Sequence, residues 1–165
     1  MAKTIDVKLL NPFVAATLEC LSSMAGAAPV RQRVFVKTDP LMHGEVTGMI
    51  GLSNGMTGSC SLSFPMAMAK QLVGRFLGEE AQRITPEMAC DGVGEIANMV
   101  AGAAKRAFIG LGMQFDISTP TVVMGGVPTA VHNPADTLNI ACEFRLFPES
   151  QETFLLEIAL KPTDR

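Results

Sequence analysis

Apolar residues recur along this chain with two different periods, and the switches between those periods divide it into helices and strands. After Val14, Leu18, Leu21 and Met24 follow at steps of three or four, the spacing of one helix face, and Gly26 closes the run. Asn11-Pro12 predict its start, with asparagine as cap and proline at the first helical position, where a missing N–H costs nothing. The period then drops to two. A first strand is expected over 33–37, and two more over 46–52 and 56–63. Asn54-Gly55 between the latter pair signals a tight type I′ hairpin. Cys60, Leu62 and Phe64 fall on one side of the third strand and Ser59, Ser61 and Ser63 on the other, so one face of a sheet is expected to be buried.

Helical spacing returns over 65–76, stopped at Gly78, and again from Thr85-Pro86-Glu87, a cap, a proline and an early acid. This longer helix is expected to reach Leu111 and end at Gly112. Strands over 115–124, 137–147 and 153–161 finish the chain; Leu138, Ile140, Cys142, Phe144 and Leu146 share a face of the second, and Phe154, Leu156, Ile158 and Leu160 a face of the third. The order is αβββ–α–αβββ. Each half is a helix followed by three strands, which hints at duplication. The expected fold is α+β, a pseudo-duplicated single domain over residues 1–165. In it a mainly antiparallel six-stranded sheet packs against long helices.

On the long helix, about 100° per residue places Val93, Ala97, Val100, Ala104, Phe108 and Leu111 in one sector, with Ile96 and Ala107 at its edge. Opposite them lie Asp91, Glu95, Asn98, Gly102 and Lys105, so Glu95 and Asn98 are surface neighbours one turn apart. An ordinary solvated face would account for that pair alone. Asn98, however, costs the helix roughly 0.5 kcal/mol against alanine and serves no cap. Gly94 and Gly102, on or beside the same face, each cost up to about 1 kcal/mol. A helix that accepts these losses on its exposed side reads as a docking face with a flat backbone around Glu95 and Asn98.

Composition removes most other functions. Hydrophobic residues at 48% against 18% charged exclude a disordered chain. A net charge of −3 with no Lys/Arg run longer than a pair argues against nucleic acid or an anionic membrane as partner. Charges interrupt the first residues, and no apolar stretch reaches membrane-spanning length, so a cytoplasmic protein without membrane insertion is expected. Cys20, Cys60, Cys90 and Cys142 lack CxxC spacing and read as reduced core thiols. Neither His43 nor His132 stands at ligand spacing from a cysteine or acid; both read as loop residues, and no metal site is expected. Gly125-Gly126 lacks a following helix, and no nucleophile elbow is present. Met66 and Met68 read as core filling.

Asp91-Gly-Val-Gly-Glu95-Ile-Ala-Asn98-Met99 resembles the signature of the CheC/CheX/FliY chemotaxis phosphatases, which place Glu and Asn three apart on a helix. The stretch Asp116 to Val123, the opening Asn11-Pro12-Phe13-Val14 and the hairpin at Asn54-Gly55 are similar to elements of the same family, so the resemblance spans about residues 8–161. The first helix has Glu19 followed by Ser22, with no asparagine, and a single motif points to the CheX branch. The resemblance implies a phosphatase that hydrolyses the aspartyl phosphate of a CheY-type response regulator, without a covalent intermediate. No cofactor of its own is implied, since Mg²⁺ is supplied by the partner's phosphorylation site. It also implies a homodimer joined through the sheets. Glu95 and Asn98 become the catalytic pair: the carboxylate to anchor a partner lysine, the neutral amide to orient the attacking water. Asp91, Gly94, Met99, Gly102 and Lys105 become the partner-facing surface around them. The competing reading is a non-catalytic module docking on a response regulator or flagellar switch component through the same helix.

Overall fold

The computed structural model describes residues 6–26, 28–125, 129–130 and 137–162. Their elements run α1 (Val7–Ala25), β1 (Val30–Val36), β2 (Leu41–Met42), β3 (Val46–Ser53), β4 (Met56–Phe64), α2 (Met66–Leu77), α3 (Pro86–Gly110), β5 (Asp116–Ile117), β6 (Thr121–Met124), β7 (Thr129–Ala130), β8 (Leu138–Arg145) and β9 (Thr153–Pro162). A 3₁₀ turn, Ala81–Arg83, links α2 to α3. The main sheet is antiparallel in every pairing, in the order β1-β8-β9-β4-β3 with β5 and β6 both on the outer side of β3. Exchanging the halves (β1 for β6, β3 for β8, β4 for β9) reverses this order onto itself. That symmetry fits the duplication suggested by the repeated αβββ order.

Several elements differ from expectation, among them β1, which begins at Val30, and the unexpected β2–β7 pair; three differences have a clear local reason. Helix α1 begins four residues before Asn11, because the Asp6 carboxylate accepts the Lys8 backbone N–H at 2.9 Å and caps an earlier turn. Pro12 therefore lies inside the helix, where it removes the bond to the Lys8 carbonyl, but its ring is buried with Phe13 and Val14. At the hairpin, Asn54 and Gly55 both take positive φ, 56° and 123°. Leu52 nevertheless pairs with Gly58, one residue further than a two-residue turn allows, so the connection is longer than type I′. The strand expected over 115–124 is broken into β5 and β6. Pro120 cannot donate to a ladder, and Ser118 instead accepts the Gly51 N–H with its hydroxyl at 2.8 Å while donating its own N–H to the Gly51 carbonyl.

The core lies between the sheet and the three helices. Phe64, Phe144 and Phe154 stack in a row across β4, β9 and β8, with centroids 5.0 and 5.2 Å apart. A second cluster joins Phe13 of α1 to Phe108 of α3 and to Phe115, at 5.4 and 6.5 Å. Met68 is buried and Met66 packs at the margin, as core filling requires. Cys60 and Cys142 are buried and all four cysteines are free; burial pushes the Cys60 thiol up to about 12.

The face of the sheet turned away from the helices is not simply open to water. Ser61, Ser63, Thr47, Ala141 and Ala159 are buried there, and Thr47 and Ser63 share a hydrogen bond at 2.8 Å. Lys37 and Glu157 form a buried ion pair, with Nζ 2.9 and 3.1 Å from the two carboxylate oxygens. Lys37 also donates to the Leu41 carbonyl, drawing the segment after β1 across the sheet. The period-two pattern marked which side faces the helices, but small hydroxylated residues on the other side gave no sign of this second cover.

Helix α3 reaches β3 at Gly48, where an added Cβ would stand 2.9 Å from the Val93 carbonyl oxygen and 3.0 Å from the Ala97 Cβ. The missing side chain sets how closely the helix lies on the sheet. A Gly48→Val substitution is expected to cost about 1–3 kcal/mol through overpacking. Chemical denaturation should show this as a lower midpoint at unchanged slope. An unchanged midpoint would mean that α3 can shift without loss.

Candidate functional site

Helix α3 presents the site. Its N-terminus is fixed by the Thr85 hydroxyl, which accepts the Met88 N–H at 3.2 Å, with Pro86 in the first turn. Ala89, Val93, Ile96, Ala97, Val100, Ala101, Ala104 and Phe108 form the buried stripe. Leu111 departs from the expected stripe. It is the residue after the helix, with φ −93° and ψ 5°, and it is 62% exposed. Ala107 is likewise exposed.

Asp91, Glu95 and Asn98 are exposed on the opposite side. Among the described residues none of the three has a hydrogen bond or an ion pair. Met99 is 40% exposed beside Asn98. Lys105, further along the same line, has its Nζ 3.4 Å from Asp116 Oδ1. Asn54 donates to the other oxygen of Asp116 at 2.6 Å. These two donors, Asn54 first, hold the Asp116 carboxyl below the usual carboxylate range. The triad ties the β3–β4 hairpin, β5 and α3 together at one end of the working face. Residues 54, 105 and 116 are too far apart in sequence for periodicity to join them.

The two glycines of this face differ. Gly94 is buried, and a Cβ there would lie 3.0 Å from Val122 Cγ2, so its bareness admits β6 against the helix. At Gly102 the nearest outside atom would be an Arg106 guanidinium nitrogen 3.8 Å away, leaving the backbone bare toward solvent. The flat surface around Glu95 and Asn98 is therefore partly the mark of an internal neighbour. On α1, Glu19 is exposed but the Ser22 hydroxyl donates to the Leu18 carbonyl at 2.6 Å, so that helix offers no comparable pair.

Beside Glu95 the surface falls into an open groove of about 610 Å³ between α2 and β6. Phe76 and Leu77 from the last turn of α2 form one wall, Pro120 and Val122 the other, with Asp91 and Glu95 at the rim. Sequence reasoning missed the α2 wall. The one available sign was a large apolar pair directly before the helix-ending Gly78.

His43 lies away from this face. His43 is exposed and its Nε2 lies 3.0 Å from Asp39; His132 and Gly126 lie outside the described residues. Among the described residues no group of three His, Cys, Asp or Glu could hold a metal ion. No described helix is long and apolar enough to cross a membrane.

Comparison with known proteins gives the family and the fold. The family model described as Chemotaxis phosphatase CheX matches residues 46–145, which include α3 and most of the sheet. A Thermotoga maritima relative, CheY-P phosphatase CheX, is 30% identical over 122 residues, 73% of this chain and 78% of its own length. The crystal structure of a chemotaxis protein CheX from Desulfovibrio desulfuricans has a TM-score of 0.81 at 32% identity, covering 93% of this chain and 99% of that one. The Borrelia burgdorferi CheX, solved in a CheX–CheY–BeF3–Mg²⁺ complex, shares the fold with a TM-score of 0.76 at 20% identity, over 96% of this chain and 99% of that one. The chain belongs to the CheX family of chemotaxis phosphatases.

Proposed function

We propose that this protein hydrolyses the aspartyl phosphate of a CheY-type response regulator, with Asn98 positioning the attacking water and Glu95 anchoring the partner. The observation that carries the reading is that Glu95 and Asn98 stand one turn apart, exposed and without partners among the described residues, on a helix whose other side is locked into the core. It is supported by membership in a phosphatase family, by a relative named for CheY-P hydrolysis, and by a relative solved with CheY, BeF3 and Mg²⁺.

In the reaction a water oxygen attacks phosphorus in line with the aspartyl oxygen. The P–O bond to the carboxyl group breaks, releasing inorganic phosphate and the free carboxylate. Such transfers are governed by position and charge, with little need for a strong base. A Mg²⁺ held in the partner's phosphorylation site would supply positive charge toward the phosphoryl oxygens. The Asn98 amide offers an acceptor and two donors while remaining neutral, which suits it to hold a water without competing for the metal or the phosphate. Glu95 accepts only, and a lysine beside the regulator's phosphorylation site would fix the register of docking. Asp91, Met99, Gly102 and Lys105 would complete the contact surface.

Asn98→Ala is expected to lower phosphate release from the phosphorylated regulator by about 10²-fold or more while leaving binding measurable. The same substitution should leave the fold equally stable or firmer by about 0.5 kcal/mol, since alanine is the better helix former. An active Asn98→Ala protein, in a phosphate-release assay, would overturn the assigned role of Asn98, whereas a wild type that binds the regulator without releasing phosphate would favour a module that only binds.

Glu95→Ala should act mainly on affinity, weakening it by about 2 kcal/mol or roughly thirtyfold in titration calorimetry. An unchanged dissociation constant would remove Glu95 from the interface.

The assembly is proposed to be a homodimer closed through the sheet. Strand β1 is an edge whose strand neighbour among the described residues is β8, and Val30, Val34 and Val36 along it are 50%, 43% and 47% exposed. Such an edge needs cover or a partner strand. Sedimentation is expected to give a dimer that Val34→Lys dissociates; a monomeric wild type would refute the assembly.

A further inference from the structure

We propose that the groove between α2 and β6 seats a bulky apolar side chain of the response regulator that lies next to a lysine or arginine, making α2 a second docking element beside α3. This rests on the reading of the protein as acting on a CheY-type regulator, and adds to it a contact outside the Glu/Asn helix face. Phe76 and Leu77 are 48% and 51% exposed at adjacent positions, and both line the groove that Glu95 borders. Scattered apolar residues on a surface need no explanation, but two large ones sharing a concavity with the anchoring carboxylate form a continuous interface. The groove is open to solvent, which fits a side chain protruding from a partner surface better than an enclosed small molecule.

Charge identifies what accompanies that side chain. Asp91 and Glu95 at the rim have no cationic partner among the described residues. Arg75, one residue before Phe76, donates to the Ala25 carbonyl at 2.7 Å and lies 4.5 Å over the Phe147 ring. Arg83 is 3.6 Å from Glu79, and Lys105 is engaged with Asp116. A cation on the occupant would complement these two unpaired carboxylates. A negative rim disfavours an anionic lipid surface or nucleic acid in the same place. The regulator, already placed against Glu95 by the proposed chemistry, is the partner continuous with this groove.

The test uses the full chain and its cognate CheY-type regulator loaded with BeF3 and Mg²⁺. Phe76→Ser and Leu77→Ser, measured separately and together, are expected to weaken binding about tenfold or more. In turnover of the phosphorylated regulator they should raise KM with kcat nearly unchanged, since the Asn98 amide is untouched. Asp91→Asn should flatten the salt dependence of binding. Leu111→Ser is the control. It removes a somewhat more exposed apolar side chain about 20 Å further along the helix from Asn98 and should change neither constant. Wild-type affinity in the Phe76→Ser/Leu77→Ser double variant, with the wild type active, would overturn the groove while leaving the phosphatase reading intact. An equal loss in Leu111→Ser would also overturn it, by showing a general surface effect. A wild type that neither binds nor dephosphorylates the regulator would defeat both readings together.

Discussion

The close approach of α3 to β3 at Gly48 holds the rest of the molecule in place. Val93 and Ala97 lie against a strand position with no side chain, and the helix continues down a stripe of small and branched residues to Phe108. Small residues in that stripe bring the helix axis near the sheet, and the aromatic cluster of Phe13, Phe108 and Phe115 fixes the far end. Because the interior packs to crystal-like density, the helix cannot roll without opening voids. The direction in which Glu95 and Asn98 project is thus set from beneath, by contacts that neither residue makes.

Polar groups are distributed in a way that separates structure from function. The buried Lys37–Glu157 pair and the Asn54–Asp116–Lys105 triad pin loops to the sheet and to α3, although Glu157 Oε1 is left without a hydrogen bond among the described residues. Burying a pair such as Lys37–Glu157 is compensated only when the partners meet well, as they do here. Asp91, Glu95 and Asn98 have side chains without such partners among the described residues. A carboxylate or amide that the fold does not use is free to be used by another molecule.

The strand order adds a constraint on how this site arose within the fold. The two halves map onto each other across the β4–β9 boundary, and each contributes one long helix to the same side. Only α3 carries the Glu/Asn pair. In α1 the corresponding spacing gives Glu19 and Ser22, and the serine hydroxyl turns back onto its own helix. The same architecture thus carries an exposed Glu/Asn pair on one helix and not on the other, with α1 resting against α3.

The sequence alone determined the helices with clear caps and the strands with clear alternation, because both signals are local. Thr85-Pro86 and the αL glycine after α2 marked ends that the structure keeps. Glu95 and Asn98 were legible for the same reason, since helical spacing converts directly into a shared face. Where a local signal met a stronger neighbour it failed: Asp6 capped α1 earlier than Asn11, and Pro120 divided a strand that apolar content made continuous. Only the tertiary structure decided that Gly94 accommodates Val122, that Lys105 reaches Asp116, and that Phe76 and Leu77 share a groove with Glu95. Those relations join residues on different elements, and no periodicity along one element carries information about what packs beside it.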